Sequence, residues 1–434
     1  MLLNPYNQIM KNNMSEINML NERQSENTIS YAKKEGLKIL REIRGSGELY
    51  LSLEYFYKRL YDFLDRENAD LHNETVIATM CNFVPDELIY ALGAYPLRIC
   101  SGFNAFDHAG AEFLPSKGCP LVKATAGRIY QNNFPMGAKP KLIINPASCD
   151  QKKKLSEVMT DVAVPFYYLE IPSAKNKEAN YNLWILNLLD LTKKLEDITR
   201  RKLTHAKLKK AISMVFAAQS EFRRLTELRK NNNLINGLDY LLISNVYFFD
   251  NITEWTKHLK QLNDEVEANH DAYPSDPKKP RIMLTGSPSI FPNVKVPYLI
   301  ESLGGKVVAD DFCSSQRLLY DMVAVDEWKL YDMIPALAAR YYKPSTCPNL
   351  FPADDKKRNI LNLIKENKVD GVLYQSLAGC QLFEMESLII SKLLEKEGVP
   401  MLYIETDYNP DDQGQLSTRI EAFIESIQSS KKIA

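Results

Sequence analysis

The stretch TVIATMCNFVPDELIYALGAYPLRIC, residues 75–100, decides the fold. Its first six residues are an apolar, β-branched run of the length of a buried strand. A helix follows, with Pro85 at its start and Gly93 near its stop, and YPLRI (95–99) forms a second strand. Strand, cysteine, helix, strand is the unit of a parallel sheet whose apolar strands are covered on both faces.

The unit repeats along the chain. KLIIN (141–145) and PFYYLEI (165–171) continue the first group, and RIMLT (281–285), KVVAD (306–310), GVLYQ (371–375) and MLYIE (401–405) form a second. Helices such as FPNVKVPYLIESLG and MESLIISKLLEKEG lie between them, and STRIEAFIESIQSS closes the chain. The fold class is α/β, with two parallel-sheet regions. Between them, NYNLWILNLLDLTKKLEDITRRK and LKKAISMVFAAQSEFRRLTELRK carry apolar residues at helical spacing, a helical insertion. DAYPSDPKKP (271–280) reads as a linker from its prolines. Before the first unit, GELYLSLEYFYKRLYDFLDRE is helical by its spacing. The expected organisation is a polar, loose N-terminal extension over 1–40, a first α/β domain over 41–180, a helical bridge over 181–275 and a second α/β domain over 276–434.

Composition excludes several classes. The chain has 434 residues, 45% of them hydrophobic, enough for a large core. Its 54 basic and 55 acidic residues nearly cancel, with a formal net charge of −1, which argues against nucleic acid as a partner. No apolar run is long enough to span a membrane, and the first residues lack a signal-peptide pattern. A cytoplasmic location is expected, where seven cysteines would not be disulfide-bonded.

Those cysteines fall into two groups: Cys81, Cys100, Cys119 and Cys149, then Cys313, Cys347 and Cys380. Cys81, Cys149, Cys313 and Cys380 each lie in the loop after a strand, where open α/β sheets bind their ligands. Cys119 and Cys347 are each followed by Pro, which restricts the preceding residue to extended geometry. Cys100 ends a strand and reads more naturally as a packed side chain. With Cys100 set aside, the gaps within the groups are 38, 30, 34 and 33 residues, one thiol from each successive unit. No C-x-x-C occurs, so a thioredoxin-type pair and a zinc ribbon are excluded, as is the ferredoxin run. Thiolates gathered from many loops at one crevice suit an iron–sulfur cluster; buried small apolar side chains are the plain alternative. Five His are present and none has a suggestive setting; His108, in AFDHAG, is the best placed and reads more naturally as a surface or loop residue. P-loop and G-x-G-x-x-G fingerprints are both missing, so any nucleotide chemistry would come from another protein.

CNFVPDELIYALGAYPLRIC, LPSKGCPLVKATAG, NPASCDQKKK, AGCQLFEMESL and PMLYIETDYNPDDQGQLSTRIEAFIE together resemble the 2-hydroxyacyl-CoA dehydratase and benzoyl-CoA reductase superfamily. Within it the chain is most similar to the double-cubane cluster proteins. The resemblance implies two Rossmann-like domains with a cluster in the crevice between them, in a homodimer. It implies an [8Fe–9S] double cubane, three Cys to each half, with Cys81, Cys119, Cys149, Cys313, Cys347 and Cys380 as the six ligands. Electrons would come one at a time from an ATP-hydrolysing activator with its own [4Fe–4S] cluster, and a small molecule would be reduced. The alternatives are a dehydratase or benzoyl-CoA reductase subunit with one [4Fe–4S] cluster, and a non-catalytic iron–sulfur carrier. At LTGSPS some relatives have Cys where Ser287 stands, and a Ser oxygen is a poor substitute for thiolate.

Other residues carry two readings each. Lys123, four past Cys119, would offset cluster charge or be an exposed helix lysine, and Arg128 is similar. Glu384 or Glu386 would shuttle protons or simply face solvent. Glu405 and Asp407 would face the crevice or cap a loop. Lys152 to Lys154 would dock the electron donor or form a solvated helix face. Gly118 and Gly379, each just before a Cys, would let backbone approach closely.

Overall fold

The structure is a computed structural model that describes residues 5–44, 51–65, 71, 74–160, 162–230, 235–269 and 278–433. Its eight described strands are β1 (Val76–Thr79), β2 (Tyr95–Arg98), β3 (Leu142–Pro146), β4 (Phe166–Leu169), β5 (Arg281–Gly286), β6 (Lys306–Asp310), β7 (Gly371–Leu377) and β8 (Met401–Thr406). They form two four-stranded sheets, ordered β2-β1-β3-β4 and β6-β5-β7-β8. Every pairing is parallel. In both sheets the order reverses between the first and third strands, which opens a crevice at the strands' carboxyl ends.

Side chains alternate across each strand, and both faces are covered. From β1 and β3, Val76, Ala78 and Ile143 enter one apolar cluster while Ile77, Leu142 and Ile144 enter another. In the second sheet Ile282, Leu284 and Leu373 face one way, and Met283, Val372 and Tyr374 the other. This two-sided burial is why the strands read as unbroken apolar runs.

The helical segment is built into these cores. Trp184, Leu188, Leu191 and Leu195 of helix Glu178–Thr199 cover one face of the first sheet. Phe222 and Leu225 of helix His205–Leu228 join the cluster on its other face, and Leu241 of helix Gly237–Val246 enters the core of the second sheet. Helix Leu330–Tyr342, from the second half, seals the first sheet: Trp184 Nε1 donates to Ala338 O at 3.1 Å and Tyr341 OH to Glu87 Oε2 at 2.7 Å. The two halves are thus interlocked. The proline-rich linker lies mostly outside the described residues, as does the start of GELYLSLEYFYKRLYDFLDRE, whose remainder is helix Glu54–Leu64.

The loose extension expected over 1–40 is corrected: one helix runs Pro5–Arg44. Its apolar residues are diluted by Asn, Ser and Lys, yet Ala32, Leu40 and Ile43 share one buried face with Gly36 between them. A Cβ on Gly36 would meet the Leu64 side chain at 2.5 Å, so that glycine sets the close helix contact. Glu35 ties the helix down: its carboxylate accepts the Asn104 and Ala105 N–H groups at 2.8 and 3.2 Å, at the start of helix Asn104–Ala111. Burial raises the Glu35 pKa from 4.5 to about 7, against the pull of those two N–H groups. The folded protein therefore holds a proton that the unfolded chain has released, and this contribution to stability is full below about 4.5 and lost as pH rises through about 7. The shift is worth about 3 kcal/mol at most. Thermal midpoints of wild type and Glu35→Gln from pH 5 to 8 should show the wild type losing ground as pH rises; parallel curves would contradict this.

Candidate metal centre

The cysteines stand where the strands end. Cys81 and Cys100 lie two residues past β1 and β2, and Cys149, Cys313 and Cys380 three past β3, β6 and β7. Cys119 precedes helix Pro120–Tyr130 between β2 and β3, and Cys347 lies between β6 and β7. All seven are free thiols. The halves carry them in matching places, except that the turn after β5 holds Ser287. That serine is buried and structural, its Oγ accepting the Leu377 N–H at 3.0 Å.

Two threes emerge, and each draws on both halves. In the first, the Cys119 thiol hydrogen-bonds Cys380, with Cys149 in electrostatic reach of both. Gly379 makes this possible: its φ is +72° and a Cβ there would lie 2.1 Å from Lys117 O. Gln151 bridges the two loops, accepting Cys119 N–H at 2.8 Å and donating to Gly379 O at 3.1 Å. At Gly118 the tight contact is with its own turn, Pro115 O at 2.9 Å. In the second three, Cys347 and Cys313 each feel Cys81. Cys81 has φ +80°, a left-handed backbone rare outside glycine. The threes meet where Cys149 feels Cys81, and Cys100 lies within reach of Cys313.

Two buried cations serve these thiols. Lys152 feels Cys81, Cys100, Cys149 and Cys313; burial would lower its pKa, and the sulfurs raise it instead. Its N–H also caps Cys149 Sγ at 3.5 Å. Arg317 is likewise raised against burial by Asp311, Cys313 and Cys347. Thiol acidity is set accordingly. Burial alone would raise Cys81, but Lys152 and Arg98 hold it below the ordinary thiol value. The hydrogen bond from Cys119 brings Cys380 down to about 7, and the same bond, with burial, pushes Cys119 well up. Burial and then Cys81 push Cys347 up to about 12. Metal ligation requires these thiols as thiolates, and the two cations favour that form.

The donor set fits an iron–sulfur group. Among the described residues no three His, Cys, Asp or Glu side chains close round a single ion, whereas a cluster takes its thiolates on separate irons. Arg317, which feels Cys313 and Cys347, has two buried atoms without a protein partner, Nε and Nη2. Such groups call for a missing partner. Arg317 Nε is 3.7 Å from Asp311, too far for a hydrogen bond.

The other candidate residues fall differently. Lys123 is not exposed; it is buried against Asp107, 3.2 Å from Oδ1, and donates to Ser116 O at 3.1 Å. Arg128 stacks on Phe63, Phe103 and Phe106 at 5.1–5.2 Å. Glu384 and Glu405 are exposed, while Glu386 is buried, accepting from Tyr374 OH at 2.8 Å, with Lys356 at 3.6 Å. Asp407 accepts Asn409 N–H at 2.8 Å. Lys153 and Lys154 are solvent-exposed, but Lys152 is not a surface residue. His108 is exposed. Lys152 and Arg317 are the residues that sequence reasoning passed over as part of the site. Their signal was position, three past Cys149 and four past Cys313 on the helical turns that follow.

Two four-stranded parallel sheets with free thiols just past their strands define a class of paired Rossmann-like α/β proteins. The chain belongs to the family described as 2-hydroxyglutaryl-CoA dehydratase, D-component, which matches residues 81–427. It is 29% identical to the Escherichia coli (strain K12) protein YjiM, named as a dehydratase subunit, over 81% of this chain and 91% of that protein. It is 23% identical to the (R)-phenyllactyl-CoA dehydratase beta subunit of Clostridium sporogenes, over 82% and 92%. A benzoyl-CoA reductase subunit of Thauera aromatica is 23% identical, over 85% and 96%. No described helix is long and apolar enough to cross a membrane.

Proposed function

We propose that this protein is the iron–sulfur reductase component of a two-part system, binding an [8Fe–9S] double cubane in the crevice. Cys119, Cys149 and Cys380 would hold one half and Cys81, Cys313 and Cys347 the other. The observation that carries this reading is the pair of threes: one [4Fe–4S] cluster would use only one of them. When bound, the group would store low-potential electrons for reduction of a small molecule. The chain's own residues supply the rest. Lys152 and Arg317 offset negative charge, and Gly379 and Gln151 fix the approach of the two loops. Two cavities of about 270 Å³ lie beside residues of the second three, one lined by Asn82 and Arg317, the other by Cys347, Lys356 and Glu386. They suit a small substrate. Electrons would come from a separate ATP-hydrolysing reductase with its own [4Fe–4S] cluster, in keeping with the absence of nucleotide fingerprints. The working form would be a cytoplasmic homodimer.

A second reading, a 2-hydroxyacyl-CoA dehydratase-type subunit with one [4Fe–4S] cluster, is favoured by the names of the relatives. Iron and sulfide counts on anaerobically purified protein separate the two: about eight irons per chain for the first, about four for the second. Acyl-CoA should raise the thermal midpoint only in the second case. A count near four together with acyl-CoA stabilisation would replace the first reading by the second.

A further inference from the structure

The end of β8 and the turn after it carry the sequence ETDYN, residues 405–409, which presents the Tyr408 side chain inward. Thr406 Oγ1 donates to Asp412 Oδ2 at 2.7 Å, Asn409 N–H to Asp407 Oδ1 at 2.8 Å and Lys295 Nζ to Asn409 O at 2.7 Å. Glu405 points to solvent, while Tyr408 is only 5% exposed and packs in the same cluster as Cys100, Cys119 and Cys380. Its ring also lines a cavity of about 660 Å³ under the Pro5–Arg44 helix, together with Glu35, His108 and Lys295. Its hydroxyl is buried and has no hydrogen-bond partner in the protein. A buried O–H without a partner costs free energy, and the groups around this one are the Asp107 carboxylate and the thiols of Cys100, Cys119 and Cys380, the last two assigned to a cluster by the reading above.

We propose that Tyr408 is a positioning residue of the metal centre, its hydroxyl donating a hydrogen bond to the inorganic group held at Cys119, Cys149 and Cys380. This rests on the iron–sulfur reading. A phenol ordinarily titrates at about 10, so the hydroxyl remains a donor at working pH. Hydrogen bonds to cluster sulfur stabilise the more negative, reduced state and raise its potential.

The test is Tyr408→Phe in the full chain, with Tyr240→Phe for comparison, since Tyr240 is equally buried but its hydroxyl is hydrogen-bonded to Thr226 Oγ1 at 2.8 Å. Three quantities are read: iron per chain, reduction midpoint of the loaded protein and thermal midpoint of the iron-free protein. Tyr408→Phe should keep its iron, move one reduction step to a more negative potential and leave the iron-free midpoint unchanged or higher. Tyr240→Phe should lower the iron-free midpoint and leave the potential alone. An unmoved potential in Tyr408→Phe overturns the proposal, as does an iron-free loss matching that of Tyr240→Phe, which would mean that the hydroxyl has a protein partner. A wild type that binds no iron overturns the underlying reading too, so the two failures are distinguishable.

Discussion

Replacing Lys152 with methionine is expected to strip most of the iron from anaerobically purified protein while leaving the iron-free chain folded. The ammonium is buried and within electrostatic reach of four sulfurs, Cys81, Cys100, Cys149 and Cys313. Cys149 belongs to one three and Cys81 and Cys313 to the other, so this cation serves both. Two unit charges about 6 Å apart interact by roughly 3 kcal/mol at an effective dielectric of about 20. Losing one such interaction weakens binding about ten- to hundredfold, and several are lost together. The iron-free chain should be no less stable, because an apolar side chain replaces a buried charge. Lys152→Arg should retain most of the iron. Lys153→Met and Lys154→Met alter only solvent-exposed side chains and should behave as wild type. Iron assay and thermal denaturation check each point, and a Lys152→Met protein with the full iron complement would contradict the role given to this residue.

Much of the framework was legible in the sequence, for a physical reason. Strands buried on both faces must be largely apolar, so β1, β3, β5, β6 and β7 stand out as short apolar runs, while β4 and β8 at the sheet edges are only partly buried. The position of a thiol just past a strand is a local property, readable at Cys81, Cys149, Cys313 and Cys380. What was not legible depends on approach between distant segments. Pairing of Cys119 with Cys380 follows from Gly379 settling against Lys117, 262 residues away in sequence. Lys152 sits in a run of three lysines and reads as surface, yet only its neighbours face water, because the turn begun at Cys149 points the third residue inward. Lys123 was misjudged for a related reason. Helices Asn104–Ala111 and Pro120–Tyr130 touch through Gly110 and Gly127, where a Cβ would lie 2.1 and 2.2 Å from the opposing backbone, and that contact buries Lys123 against Asp107. The N-terminal helix was hidden by its polar composition, since four buried positions are enough to dock it.

The most direct measurement is iron and sulfide per chain in wild type, Cys119→Ser and Cys313→Ser, purified in parallel without oxygen. The two cysteines lie in different halves of the chain and different threes, and serine is a poor ligand for iron. If six thiols hold one composite group, wild type should carry about eight irons and each variant should lose about half of them or more. A Cys119→Ser or Cys313→Ser protein that holds as much iron as the wild type would show that its thiol is not a ligand, and with that the claim of two threes sharing one crevice would fail.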